Sequence, residues 1–182
     1  IEGIMLIAAF TGVFVSAATQ SAAIGLLGAV LSGILCAGLL AFFTLYYRTN
    51  PILGGIAINS LASGGTVFLL YLFTGDKGSA ASVASKVVSE INLPVIKNIP
   101  VLGEIISGHN ILTYLSLLSV VFVYVLINKT PLGYHLKAVG ENKNAAESVG
   151  INVIKVKFVA LLISGLLAGL GGAFMSMGYV ST

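Results

Sequence analysis

The chain has 182 residues, of which 57% are hydrophobic and only 8% charged, with a net charge of +3. Ordinary soluble domains carry roughly 25% charged residues, so this composition excludes a water-soluble core and points to one membrane-embedded domain. No basic run suited to a phosphate backbone occurs, which excludes nucleic acid as a partner, and the single cysteine, Cys36, can form no intrachain disulfide.

Five apolar runs follow in chain order: Ile4–Thr19, Ala22–Tyr47, Ile52–Phe73, Ile111–Ile127 and Phe158–Val180. A helix needs about 20 residues, within a range of about 17–25, to cross the hydrocarbon layer. The third and fifth runs fit, the second is long enough to tilt, and the fourth is at the short limit. No run alternates with period two, so a membrane β-barrel is excluded. The expected fold is all-α, a polytopic transmembrane helix bundle spanning residues 1–182. The chain starts at Ile1 already in apolar sequence, with no basic leader or cleavage site. It reads as a piece of a longer protein, truncated at both ends.

Orientation follows from the basic residues. Arg48 lies between the second and third runs, and the loop 128–157 carries Lys129, Lys137, Lys143, Lys155 and Lys157 against Glu141 and Glu147. The loop 74–110 balances Lys77, Lys86 and Lys97 against Asp76, Glu90 and Glu104. The positive-inside rule assigns residue 1, Arg48 and loop 128–157 to the cytoplasm, and loop 74–110 to the outside. Tyr46, Tyr47 and Phe158 then mark inner boundaries, and Tyr71, Phe73, Tyr114 and Tyr179 outer ones.

Small residues recur at helical spacing within the spans: Gly33 and Ala37 in the second run, Gly165, Ala168, Gly169, Gly172 and Ser176 in the fifth. Such residues let helix backbones approach where hydrophobicity gives no drive to associate, and the expected role is packing. In the third run Asn59, Ser63 and Thr66 fall on one helix face. A buried Asn in a span must be hydrogen-bonded or line a wet cavity. Interhelical bonding and a substrate pathway are both open at this point.

Chemistry by the chain itself is not expected. No carboxylate falls within a span after Glu2, no nucleophile–base pair is visible, and an ionisable relay for proton coupling is missing. Gly169-Leu-Gly171 follows no strand and no Gly-Lys-Ser or Gly-Lys-Thr occurs, so a phosphate loop is absent. His109 and His135 have no ligand-spaced companion, so no metal site is expected. The reading is a non-enzyme without a cofactor of its own.

The polar loop 128–157 is the most informative segment. Asn144-Ala-Ala-Glu147 has capping-box form, with Asn144 as N-cap and Glu147 at N3. Gly150 is placed as the residue after the C-cap, with Ile151 as its apolar partner. This predicts a helix of one to two turns, too short to stand alone. Ala145 and Ala146 would give it a low profile suited to a groove on another protein; a connector packed on its own bundle is the equal alternative. In loop 74–110, Val83, Val87, Val88 and Ile91 form the stripe of a short surface helix, and Pro94 and Pro100 interrupt the chain beyond it.

The stretches AVGENKNAAESVGINV and KVKFVALLISGLLAGLGGAF, with NPILGGIAINSLASGGTVFLL and IPVLGEIISGHNILTYLSLL, resemble permeases of ATP-binding-cassette (ABC) importers. The branch resembled serves simple sugars, nucleosides and branched-chain amino acids, and the last two stretches are more like the nucleoside and simple-sugar members. The resemblance implies that Gly140, Glu141, Asn142, Ala145, Ala146, Glu147 and Gly150 form a coupling helix that docks on a separate ATPase subunit, where ATP is bound. It implies a second permease domain, identical or related, and an extracytoplasmic binding protein that delivers substrate near loop 74–110. It places the chain in a cell membrane, the inner one in bacteria, among lipid. Family members have more spans than the five found here. A branched-chain amino-acid permease and a non-transporting membrane scaffold are the alternatives.

Overall fold

The computed structural model describes residues 1–75 and 110–179. The expected surface stripe Val83–Ile91, its proline breaks and His109 lie outside the described residues. Among the described residues, five helices are long and apolar enough to cross a membrane: α1 (Glu2–Thr19), α2 (Ala22–Leu45), α3 (Pro51–Thr74), α4 (Ile111–Lys129) and α7 (Val153–Ala173). Between α4 and α7 come two short helices, α5 (Pro131–Glu141) and α6 (Lys143–Ser148). The end of α7 widens into a π-helical turn, Phe174–Tyr179. The spans agree with the apolar runs to within a few residues, except that α7 begins five residues before Phe158. Its first turns carry Lys155 and Lys157, so this helix extends beyond the apolar run into the polar loop.

The turns are set by local chemistry. Gln20 ends α1 with φ 53°, and its amide Nε2 donates to the Ala17 carbonyl at 2.9 Å, so α2 starts after a tight reversal. Between α2 and α3, Arg48 also adopts positive φ, and the Thr49 hydroxyl donates to the Phe43 carbonyl. Asn50 then caps α3 by accepting from the Ile52 amide at 2.9 Å, ahead of Pro51 in the first turn, a position where the missing proline N–H costs nothing. Asn110 caps α4 in the same manner through the Leu112 amide.

The centre of the bundle is α1, α2 and α7, joined through very small residues. The buried positions of α2 are Gly25, Ala29, Gly33, Ala37 and Ala41, one every fourth residue. A Cβ added at Gly33 would stand 2.6 Å from the Gly165 carbonyl oxygen, and one at Gly169 2.9 Å from that of Ala29. Gly172 meets the Met5 and Ala9 backbone of α1, and Gly12 and Gly25 meet each other across the α1–α2 seam. The expected packing role of Gly33, Ala37, Gly165, Gly169 and Gly172 is thus realised between specific partners. Ser176 donates to the Gly172 carbonyl and stays on its own helix.

Helices α3 and α4 lie at the periphery. Only Ala62 and Leu70 of α3, and Leu112 of α4, are buried. Ile52, Leu53, Leu61, Phe68, Leu72 and Phe73 of α3, with Leu117, Leu118, Val120, Val121 and Phe122 of α4, are exposed. Apolar faces this broad are solvated by lipid or by other helices, not by water.

Candidate functional site

Two regions gather the polar residues singled out by sequence. The first is the aqueous segment between α4 and α7. Thr130 closes α4 by donating to the Leu126 carbonyl and opens α5 by accepting from the Gly133 amide. Gly133 presses on the Leu126 and Ile127 carbonyls so closely that a side chain there has no room. From α5, Tyr134 Oη donates to the Asn128 carbonyl at 3.0 Å and Lys137 Nζ to Asn128 Oδ1 at 2.8 Å. Helix α5 is therefore latched to the end of α4. Sequence reasoning missed α5; the signal was Thr130-Pro131, an N-cap followed by proline at the first helical position.

Asn142 ends α5 and caps α6, its Oδ1 accepting from the amides of Asn144 at 3.0 Å and Ala145 at 3.1 Å. The expected cap Asn144 instead lies within α6, and Glu147 makes an ion pair with Lys143 at 4.0 Å in place of reaching back to a capping backbone amide. Two asparagines two residues apart offer two registers, and the one that lets α5 and α6 share a cap prevails. The C-terminal expectation is met: Gly150 has φ 86°, its amide donates to the Glu147 carbonyl and the Ile151 amide to that of Ala146, both at 3.0 Å. This is the Schellman arrangement, with Ile151 as its apolar contact.

Ala146 is 3% exposed and packs with Val139, Val153 and Val156, bordered by Leu136, Ala138 and Ile151. The expectation that Ala145 and Ala146 together offer a docking surface is corrected: Ala146 belongs to the small core that holds α6 against α5 and α7. Ala145 is exposed, as are Gly140, Glu141, Asn142, Glu147 and Gly150. Sequence reasoning also passed over Val149, an apolar side chain 74% exposed at the tip of the segment. His135 lies exposed on α5. The requirement that something hold the short helix is met by the chain's own fold.

The second region is an open hollow of about 500 Å³ lined by Glu2, Gly3 and Leu6 of α1 with Asn59, Ser60 and Ser63 of α3. Asn59 Oδ1 accepts from the Gly3 amide at 2.8 Å, satisfying one of the four amides a helix start leaves unpaired. The interhelical reading of Asn59 is therefore realised, and Asn59 also borders the hollow. Ser63 lines it too, with its hydroxyl donating to the Ser60 carbonyl at 3.1 Å. Thr66 is not among the lining residues; its hydroxyl donates to the Ala62 carbonyl one turn back.

Asn59 lies eight positions beyond Pro51, a rise of about 12 Å at about 1.5 Å per residue. Ile4 packs at the matching level of its neighbours, against Ala37 and Ala168. The start of α1 thus packs beside interior turns of α2, α3 and α7 rather than beside the ends of α2 and α3. Glu2, in the first turn of α1, is exposed at the edge of this open hollow. Among the described residues no group of three or more His, Cys, Asp or Glu gathers at metal-binding distance.

The architecture is that of a multi-pass helical membrane protein with a folded polar knot between two of its spans. The family model described as branched-chain amino acid transport system / permease component matches residues 1–182. The chain belongs to this family, and it resides in a cell membrane as the five spans require. It is 34% identical to the guanosine ABC transporter permease protein NupQ of Bacillus subtilis, over 94% of this chain and 56% of that protein. It is 33% identical to the nucleoside ABC transporter permease protein NupC of Lactococcus lactis, over 95% of this chain and 56% of that protein. TsgC13 of Haloferax volcanii, provisionally named a glucose ABC transporter permease, is 27% identical over 98% of this chain and 54% of its own length. The chain spans just over half the length of these relatives. No solved structure gives a significant match.

Proposed function

We propose that the chain is the membrane-spanning permease part of an ATP-driven importer for nucleosides, coupled through the segment 128–157 to a separate ATPase subunit that binds the ATP. Similarity to the guanosine and nucleoside permeases over nearly the whole chain supports the substrate class. One observation carries the coupling mechanism. The short helix α6 is held by its own core to α7, while α5 is hydrogen-bonded to the end of α4. A push on α6 therefore moves two transmembrane helices as one lever.

The chain itself performs no chemistry in this reading. ATP binding draws two ATPase subunits together, and the paired permease domains follow between inward- and outward-facing states. Such a contact does work only if it differs between the two states. Ala145, Glu147 and Val149 make the docking face, and Gly140, Glu141, Asn142, Ala146 and Gly150 shape it. Asn59 and Ser63 border the translocation path, and a binding protein delivers substrate on the outer side.

The test is co-purification of the full-length protein with its ATPase. Val149→Asp places a charge on the exposed apolar tip without touching the buried core. Loss of the ATPase from an otherwise folded protein is expected. Undiminished association, together with unchanged uptake, would remove the docking assignment.

A further inference from the structure

A groove of about 480 Å³ runs between α2 and α3. Leu39 and Phe43 of α2 and Leu53 and Leu61 of α3 are its exposed rims. The small side chain of Ala57 leaves it open between them, and half-buried Ile7, Cys36 and Ile58 close its deep end. At the other end stands Thr49, in the turn that joins the two helices, and apart from the Cys36 thiol it is the one polar side chain among the lining residues. From Leu53 to Leu61 the groove follows eight positions of α3, about 12 Å at about 1.5 Å per residue. One leaflet contributes about 15 Å to a hydrocarbon layer of about 30 Å. The groove thus has the depth of a single leaflet and the chemistry of its interior.

The turn at the mouth is suited to a membrane surface, where its irregular backbone must lie because spans flank it on both sides. Phe42, Phe43, Tyr46 and Tyr47 form a cluster with ring centroids 5.4–5.9 Å apart. Both tyrosines are exposed, as aromatic anchors at the interface are. Arg48 follows them, also exposed, and immediately precedes Thr49. We propose that the groove holds one acyl chain of an anionic phospholipid whose phosphate meets Arg48. A further helix fits less well. The seams between this chain's own helices are ladders of Gly and Ala that bring backbones together. Leucine and phenylalanine rims hold a neighbouring backbone away but leave room for a flexible chain. A spanning helix would also need a seam across the whole layer of about 30 Å. Lipid tails are as apolar as the groove, so filling it selects weakly among lipids. The headgroup supplies the selection: one basic residue at the surface favours an anionic lipid by about fivefold.

The experiment uses the full-length permease with its ATPase in bilayer discs that contain a trace of photoreactive lipid. The probes are phosphatidylglycerol and phosphatidylcholine with the same chains, each carrying a diazirine near the end of one chain, and the attachment sites are mapped by mass spectrometry. In the wild type the label is expected on residues 36–40 and 57–61, about fivefold more from phosphatidylglycerol than from phosphatidylcholine. Arg48→Gln should reduce the phosphatidylglycerol label to the phosphatidylcholine level, and Arg48→Lys should retain the preference. Ala57→Phe fills the groove from an exposed position, so it should remove the label from both lipids while leaving the unfolding midpoint unchanged. Equal labelling by the two lipids in the wild type overturns the proposal, as does a label that survives Ala57→Phe. A wild type that takes no label at these positions, with Ala57→Phe separating the paired permease domains, gives the groove to a second protein chain and overturns it equally.

Discussion

Gly165→Ala tests the packing argument most directly. The added Cβ would collide with the Ala37 methyl and lie 2.7 Å from the Gly33 carbonyl oxygen, both across the α2–α7 seam. Recovering an ordinary 3.4 Å contact from 2.7 Å requires the helices to part by about 0.7 Å, because a neighbouring backbone cannot swing aside as a side chain can. A gap of about 0.5–1 Å forfeits a quarter to a half of each dispersion contact it opens, and dispersion is most of what holds helices together in lipid. Overpacking of this kind typically costs about 1–3 kcal/mol. Against it stands the gain in helix propensity, about 0.8–1.0 kcal/mol for glycine to alanine. Gly64→Ala on α3 receives the same gain, but its Cβ meets nothing within 4 Å. The difference between the two variants isolates the packing cost, expected at about 1–3 kcal/mol. It is read as the shift in unfolding midpoint on titrating the detergent-solubilised protein with dodecyl sulfate. Equal midpoints for the two would refute the claim that backbone-to-backbone contact holds the bundle.

Three further outcomes rest on the same geometry. Asn59→Leu strands the Gly3 amide and should cost about 1–3 kcal/mol in the same titration; an unmoved midpoint would show that the interhelical bond carries no weight. Gly150→Ala forces a side chain into the left-handed region at about 1–2 kcal/mol, so hydrogen exchange across 142–151 should accelerate several-fold while the spans stay protected. Exchange as slow as in the parent chain would rule out the capping arrangement. Ala146→Trp should expose the Lys137–Lys155 segment to trypsin because its core cannot take the volume, whereas Ala145→Trp should leave the segment resistant and act only on ATPase binding. Identical protease patterns for the two would contradict the burial difference between these neighbours.

Much of the bundle was legible because hydropathy reports what lipid demands residue by residue. The five spans and the small-residue seams arise from that demand, with no knowledge of which helix faces which. The end of α6 was legible too, since a glycine followed by an apolar residue is a local signal that needs no tertiary partner. Helix α5 escaped because its stretch was read as a polar loop, although Thr130 and Pro131 announced its start and Leu132, Leu136 and Val139 recur on one helix face. The choice of Asn142 over Asn144 as cap was closed to local reasoning, as either asparagine has the required chemistry.

The sequence by itself determined that this is a multi-pass membrane protein with a short helix in a polar loop, because burial in lipid and turn geometry are properties of each segment alone. Only the tertiary structure decided which of two adjacent alanines is core and which is surface, since that depends on how α6 folds back on α7. It alone set Glu2 beside Asn59, because the level of one helix against the next is fixed by interlocking small residues on different segments. That alignment brings the Gly3 amide of one helix to the Asn59 side chain of another.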